Sequence, residues 1–186
     1  MLARHRDSHF LPPRLPRYVD TNGANRTSRA VQADKNTYLS LYQGLIDGIF
    51  FDRVSTSSSH IDYYGGLAFG SRNTGHKVIF NFGDSPYSEY MNFCDLCIVF
   101  QGTACAYRTW VPKEADFIPS KIGHMIHGVT SPGEMREVLA LARKRNAGVV
   151  HVTHNAGPAP WGSLPSYLDA ELEEMSKDCD RAAWMP

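Results

Sequence analysis

The sequence predicts an α/β fold of six parallel strands, with the residues able to do chemistry gathered at one end of the sheet. Three observations predict it. Short apolar runs rich in β-branched and aromatic residues alternate with helical stretches at roughly 20–30-residue spacing, as in βαβ units. The runs are continuous rather than alternating, the pattern of strands covered on both faces. Each run carries a polar residue at or near its C-terminal end: Asp20, Asp52, Asn81, Gln101, His127 and His154. Burying one such group without partners is costly. Six of them make sense around a shared pocket, as in barrels whose sites form at the C-terminal ends of the strands.

The strands are expected over 17–21, 46–54, 77–82, 96–101, 122–128 and 148–154. Helices are expected between and after them. The stretch 28–42 starts on Ser28 and carries Val31, Tyr38, Leu39 and Leu41; 59–72 is weaker because Gly65 and Gly66 interrupt it. A short helix over 85–93 has Pro86 in its first turn, where proline fits. The clearest is 131–146: Ser131 suits the N-cap, Pro132 the first helical position, and Glu134 completes a capping box. Its last turn carries Arg143, Lys144 and Arg145, which complement the helix dipole. A final helix over 164–177 has Pro165 near its start and the acids Asp169, Glu171, Glu173 and Glu174 toward solvent.

Two architectures fit this order, an open doubly wound sheet and a (β/α)8 barrel. No G-x-G-x-x-G or G-x-x-x-x-G-K-[ST] follows a strand, so a nucleotide-binding open sheet lacks its usual motif. A full barrel takes about 250 residues; this chain has 186. The alternatives are therefore an open sheet or an incomplete TIM (β/α)8-type barrel lacking two units.

Composition narrows the function. The chain is 42% hydrophobic and 20% charged with zero formal net charge, without the basic surplus of a nucleic-acid binder. No apolar run reaches the roughly 20 residues of a membrane span. Residues 1–16 are basic and proline-rich without an apolar segment, and are expected to be an irregular lead-in rather than a secretory signal. The domain is expected over 17–178, with 179–186 as a tail. Cys94-x-x-Cys97 is not completed by a second ligand pair, so a metal site is not expected, nor any cofactor, and these cysteines are expected to be buried thiols. The sequon at Asn25 is expected to be unmodified.

Taken in order, YVDTNGANRT, QADKNTYLSLYQGLIDGIFFDRVS, VIFNFGDSPYSEYMNFCDLCIVFQGT and GVVHVTHNAGPAPWGSLPSYLDAEL resemble the spherulin-4 proteins (spherulation-specific family 4) over residues 17–175. The resemblance implies a (β/α)8 barrel of a fungal and bacterial family whose members are usually secreted. Its characterised relatives are glycoside hydrolases of the endo-α-1,4-galactosaminidase type, cutting galactosamine or N-acetylgalactosamine polymers such as galactosaminogalactan. It also implies that 17–21 is the third barrel strand, so that the chain carries strands three to eight and is truncated at its N-terminus.

By the same resemblance, Asp52 matches the first member of an Asp-Glu pair and Arg53 stands in place of the Glu. Gln101 stands where the sixth strand would end in Glu. Asn81 and Gly83 match the turn after the fifth strand, His154 falls where acids are usual, and Trp161 lies in the closing motif. Glycoside hydrolysis usually needs two carboxyl groups. Arginine stays protonated, and glutamine has no titratable proton. The implied protein is a family member acting on or binding galactosamine-containing polysaccharide with weak or no activity. A non-catalytic carbohydrate-binding pseudoenzyme and a truncated, non-functional product are the alternatives.

Asp52 is the candidate catalytic residue. Asp20, Asn81, Gln101, His127, His154 and Trp161 are candidate ligands for a polysaccharide or oligosaccharide, and Tyr87, Tyr107 and Trp110 are further aromatics near the expected pocket. Because neighbouring residues on a strand face opposite ways, a regular strand would aim Arg53 away from Asp52, toward a helix-side carboxylate; a twist or bulge at the strand end would instead bring both into the pocket, where the guanidinium would hold Asp52 ionised. The oligomeric state is left open.

Overall fold

In the computed structural model, which describes residues 16–113 and 117–182 (side chains of 178–182 excepted), six strands form one sheet. They are β1 (Arg17–Asp20), β2 (Gly48–Asp52), β3 (Lys77–Asn81), β4 (Leu96–Thr103), β5 (Ile122–His127) and β6 (Val149–Thr153). Every pair is parallel, and the spatial order is the chain order. Crossovers of one hand that always step the same way place their helices on a single face. A doubly wound sheet would reverse direction partway. The fold is therefore of the incomplete (β/α) barrel type, with an open sheet. The lead-in 1–15 and the end of the tail, 183–186, lie outside the described residues.

The helices are α1 (Ser28–Leu41), α2 (Ile61–Arg72), α3 (Ala104–Thr109), α4 (Pro132–Lys144) and α5 (Leu168–Ala182). Local chemistry sets their starts. The hydroxyls of Thr27, Thr103 and Ser131 accept from the backbone N–H three residues on, capping α1, α3 and α4. Glu134 reaches one residue beyond the capping box expected of it, accepting from the N–H of Thr130, ahead of the N-cap, at 2.8 Å. Three expectations are corrected. The segment expected as a helix over 85–93 is a 3-10 turn at Ser88–Asn92, because the turn at Cys94 follows at once. The last helix begins at Leu168, since Pro165 and Tyr167 are buried ahead of it. α3 was not anticipated; six residues are too few to show a period.

The core lies between the helices and one face of the sheet. Val19, Ile49, Phe51, Val78, Phe80 and Val99 pack against Val31 of α1 and Tyr64, Leu67 and Ala68 of α2. A second cluster joins Phe100, Ile126 and Val152 to Met135, Val138 and Leu139 of α4. Phe80 is its aromatic hub on the first side, with rings of Phe51, Tyr64 and Phe82 at 5.7–5.9 Å. Tyr64 is fully buried, but its hydroxyl meets Thr21 Oγ1 at 3.0 Å and accepts from Ser55 N–H at 3.0 Å. The buried polar group is thus satisfied.

Cys94 and Cys97 form a disulfide rather than two thiols, with Cα atoms 6.4 Å apart, inside the span that a bridge tolerates. Both are buried, as their apolar surroundings implied. Pairing depends on the turn between the 3-10 segment and β4, which composition does not reveal.

Behind the sheet, His124 on β5 is 1% exposed. Its Nδ1 shares a 2.7 Å hydrogen bond with the Tyr107 hydroxyl, and its Nε2 is buried without a hydrogen-bond partner among the described residues. The Arg145 guanidinium lies over the Tyr107 ring at 4.7 Å and donates to the Tyr107 carbonyl. Burial first, and the Arg145 cation second, push the His124 ring down to about 4, so it is neutral in the folded protein.

Candidate functional site

Among the described residues no helix covers the opposite face of the sheet, and there the strand-end residues meet. Alternation along each strand puts Tyr18 with Asp20, Phe50 with Asp52, and Met125 with His127 on this face. A hollow of about 290 Å³ is lined by Tyr18, Phe50, Asp52, Asn81, Gln101, Met125 and Trp161, with Pro16 at its margin. A second, of about 310 Å³, lies on the rim and shares Asp52, Asn81 and Gln101 with the first, adding Arg53 and Gly83.

Asp52 is held at both oxygens. Oδ1 accepts from Asn81 Nδ2 at 2.6 Å, and Oδ2 from the Tyr18 hydroxyl at 3.0 Å. Partial burial, then the hydrogen bond to Asp52, push the Tyr18 hydroxyl up to about 12, so Tyr18 remains the donor at physiological pH. The second Asn81 N–H goes to Gln101 Oε1. Asn81 itself is 4% exposed, and its Oδ1 is buried without a hydrogen-bond partner among the described residues. A buried acceptor left open at a pocket floor suits a donor on a bound molecule.

Gln101 reaches this network through an irregularity. The β4–β5 register slips between Ile98 and Phe100, a β-bulge. Ile98 lies beside Asn81, so a regular strand would put Phe100 on the pocket face and Gln101 behind. The bulge turns Phe100 into the helix-side core and aims Gln101 inward.

Arg53 does not point toward the helices as a regular strand would require. Its φ is +51°, the left-handed region, and the backbone turns at once. Gly23 N–H donates to the Arg53 carbonyl at 2.8 Å and Thr21 Oγ1 does so at 2.8 Å, which fixes that turn. The guanidinium swings back and forks onto Asp20, Nε to Oδ1 at 2.8 Å and Nη2 to Oδ2. The Arg53 guanidinium holds the Asp20 carboxyl below the usual carboxylate range.

The remaining candidates fall in three places. Trp161 forms one wall of the hollow and packs against His127 and His151, each with ring centroids at 5.6 Å. His127 packs edge-on against the Trp161 ring and does not line the hollow, and its Nδ1 is buried without a hydrogen-bond partner among the described residues. His154 stands apart: its Nδ1 accepts from Ser166 N–H at 3.1 Å and its ring faces Tyr167. Tyr107 and Trp110 lie behind the sheet around His124, and Tyr87 is exposed on a loop. Sequence reasoning missed Tyr18, Phe50 and Met125. Each lies two residues before a strand-end polar residue, and that spacing was the available signal. Among the described residues no three His, Cys, Asp or Glu side chains are grouped to hold a metal ion, and no helix is long and apolar enough to cross a membrane.

The family described as spherulation-specific family 4 matches residues 15–175. Spherulin-4 of Physarum polycephalum is 32% identical over 167 residues, covering 83% of this chain and 50% of that protein. The chain thus spans about half the length of this curated relative. Among solved structures, Sph3 of Aspergillus clavatus in complex with GalNAc superposes with a TM-score of 0.71 at 22% identity. That likeness covers 88% of this chain and 72% of Sph3, and it establishes the barrel-type fold.

Proposed function

Because this chain belongs to spherulation-specific family 4, we propose that the hollow around Asp52 binds an oligosaccharide of galactosamine or N-acetylgalactosamine units, with weak or no hydrolysis. The observation that carries the reading is the set Asp52–Asn81–Gln101 in a hollow that Tyr18 and Trp161 also line. A carboxylate and amides suit sugar hydroxyls and acetamido groups, and aromatic walls suit the apolar faces of pyranose rings. Support for the sugar class comes from the neighbour Sph3, whose structure holds GalNAc. Low turnover follows from the carboxyl count. Hydrolysis usually needs two working carboxyls, but among the described residues Asp52 is the one carboxylate lining the hollow, Gln101 does not titrate, and Asp20 is tied to Arg53.

The test is calorimetric titration with α-1,4-linked N-acetylgalactosamine and galactosamine oligomers, alongside an assay for released reducing ends. The protein should bind one of the two series. Trp161→Ala and Asp52→Ala should each weaken binding by about tenfold or more, corresponding to roughly 1–3 kcal/mol for a stacked ring or a charged hydrogen bond. Absence of binding to either series, or binding that both substitutions leave intact, would refute the assignment.

A further inference from the structure

We propose that Asp20 and Asp52 are a latent pair of catalytic carboxyls for glycoside hydrolysis, silenced by the fork of Arg53 on Asp20. The inference rests on the carbohydrate reading above and adds a mechanism that regulates the same site.

Asp20 and Asp52 end neighbouring parallel strands and are register partners, so they share a face at the same level of the sheet. Adjacent strands lie about 4.8 Å apart, a backbone spacing of the same order as the about 5–5.5 Å between the carboxyls of retaining glycosidases. Asp52 borders the hollow, while Asp20 borders a neighbouring one that shares Tyr18 with it, and the Asp20 oxygens are occupied. Oδ1 takes Arg53 Nε and the Asn22 N–H, each at 2.8 Å, and Oδ2 takes Arg53 Nη2. A carboxyl so engaged with a permanent cation can neither hold a proton for a leaving group nor take one from water. The left-handed turn at Arg53, fixed by Thr21 and Gly23, delivers the guanidinium there.

With the fork removed, the chemistry balances with water alone. At mildly acidic pH Asp20 carries a proton and gives it to the glycosidic oxygen as the C1–O bond breaks. An Asp52 oxygen forms a bond to C1, giving a glycosyl ester. Water then adds its oxygen to C1, its proton passes to Asp20, and Asp52 leaves as carboxylate. One glycosidic bond and one water become two hydroxyl ends.

The test is Arg53→Asn, since asparagine tolerates a positive φ better than most residues. Arg53→Gly is the second variant should the first fail to fold. Reducing ends released from the oligomer that binds are measured between pH 4 and 7, with calorimetric binding in parallel. The expected result is turnover at least tenfold above the parent, returned to parental level by adding Asp20→Asn. A folded variant that binds the oligomer without added turnover overturns this inference and leaves the carbohydrate reading standing. So does turnover that persists after Asp20→Asn. Loss of binding in parent and variants alike defeats both.

Discussion

Phe80→Ala should destabilise the domain by about 3–5 kcal/mol, the range for truncating a buried aromatic. Phe80 is fully buried on the helix side of β3. Its ring meets Phe51 of β2, Tyr64 of α2 and Phe82 just past the strand. Truncation leaves a hollow bounded by three rigid rings on separate elements, so little of it can close. In a chain of this size the loss corresponds to a fall in Tm on the order of 10 °C. Chemical denaturation with an unchanged m-value measures it directly; a midpoint shift worth less than about 1 kcal/mol would show that Phe80 is not the hub of this core.

The second large effect is acid sensitivity through His124. In the unfolded chain this ring titrates near its ordinary value of about 6.5. In the folded protein burial and Arg145 push it down to about 4. Between these two values the unfolded state binds more protons than the folded one, so stability falls as pH falls through that window. The full difference is about 3 kcal/mol. His151, also lowered by burial, acts in the same sense. Glu171, raised by burial, acts in the opposite one, because its folded state favours the proton. The comparison is therefore made on a variant. His124→Gln keeps an acceptor for the Tyr107 hydroxyl and should flatten the loss of Tm between pH 6.5 and 4. Parallel pH profiles for parent and variant would show that His124 does not titrate between folded and unfolded states.

Much of the sheet was legible because each strand is an apolar run closed by a polar residue, and every one of the six fell where expected. β4 ran longer than its apolar run, since the bulge carries the strand on through Gly102 and Thr103. The grouping of Asp52, Asn81, Gln101 and Trp161 follows from those strand ends and the loop after β6. What the sequence hid depends on tertiary contacts. A left-handed φ at an arginine has no local signal; it is imposed by donors from Thr21 and Gly23 on the neighbouring strand exit. The inward turn of Gln101 depends on a bulge that apolar patterning does not mark. The Cys94–Cys97 bond depends on how a short turn closes. The aromatic and apolar lining of the hollow was hidden for another reason: Tyr18, Phe50 and Met125 read as ordinary strand residues, and only the fold shows that no helix among the described residues covers the face they occupy.

The most direct measurement is an NMR titration of the isotopically labelled protein with the galactosamine or N-acetylgalactosamine oligomer. The indole N–H of Trp161 and the side-chain amides of Asn81 and Gln101 should shift together and saturate at one ligand concentration, while the Trp110 indole, behind the sheet, stays still. Saturable shifts confined to other residues, with those three signals unmoved, would contradict a sugar site on the open face of this sheet.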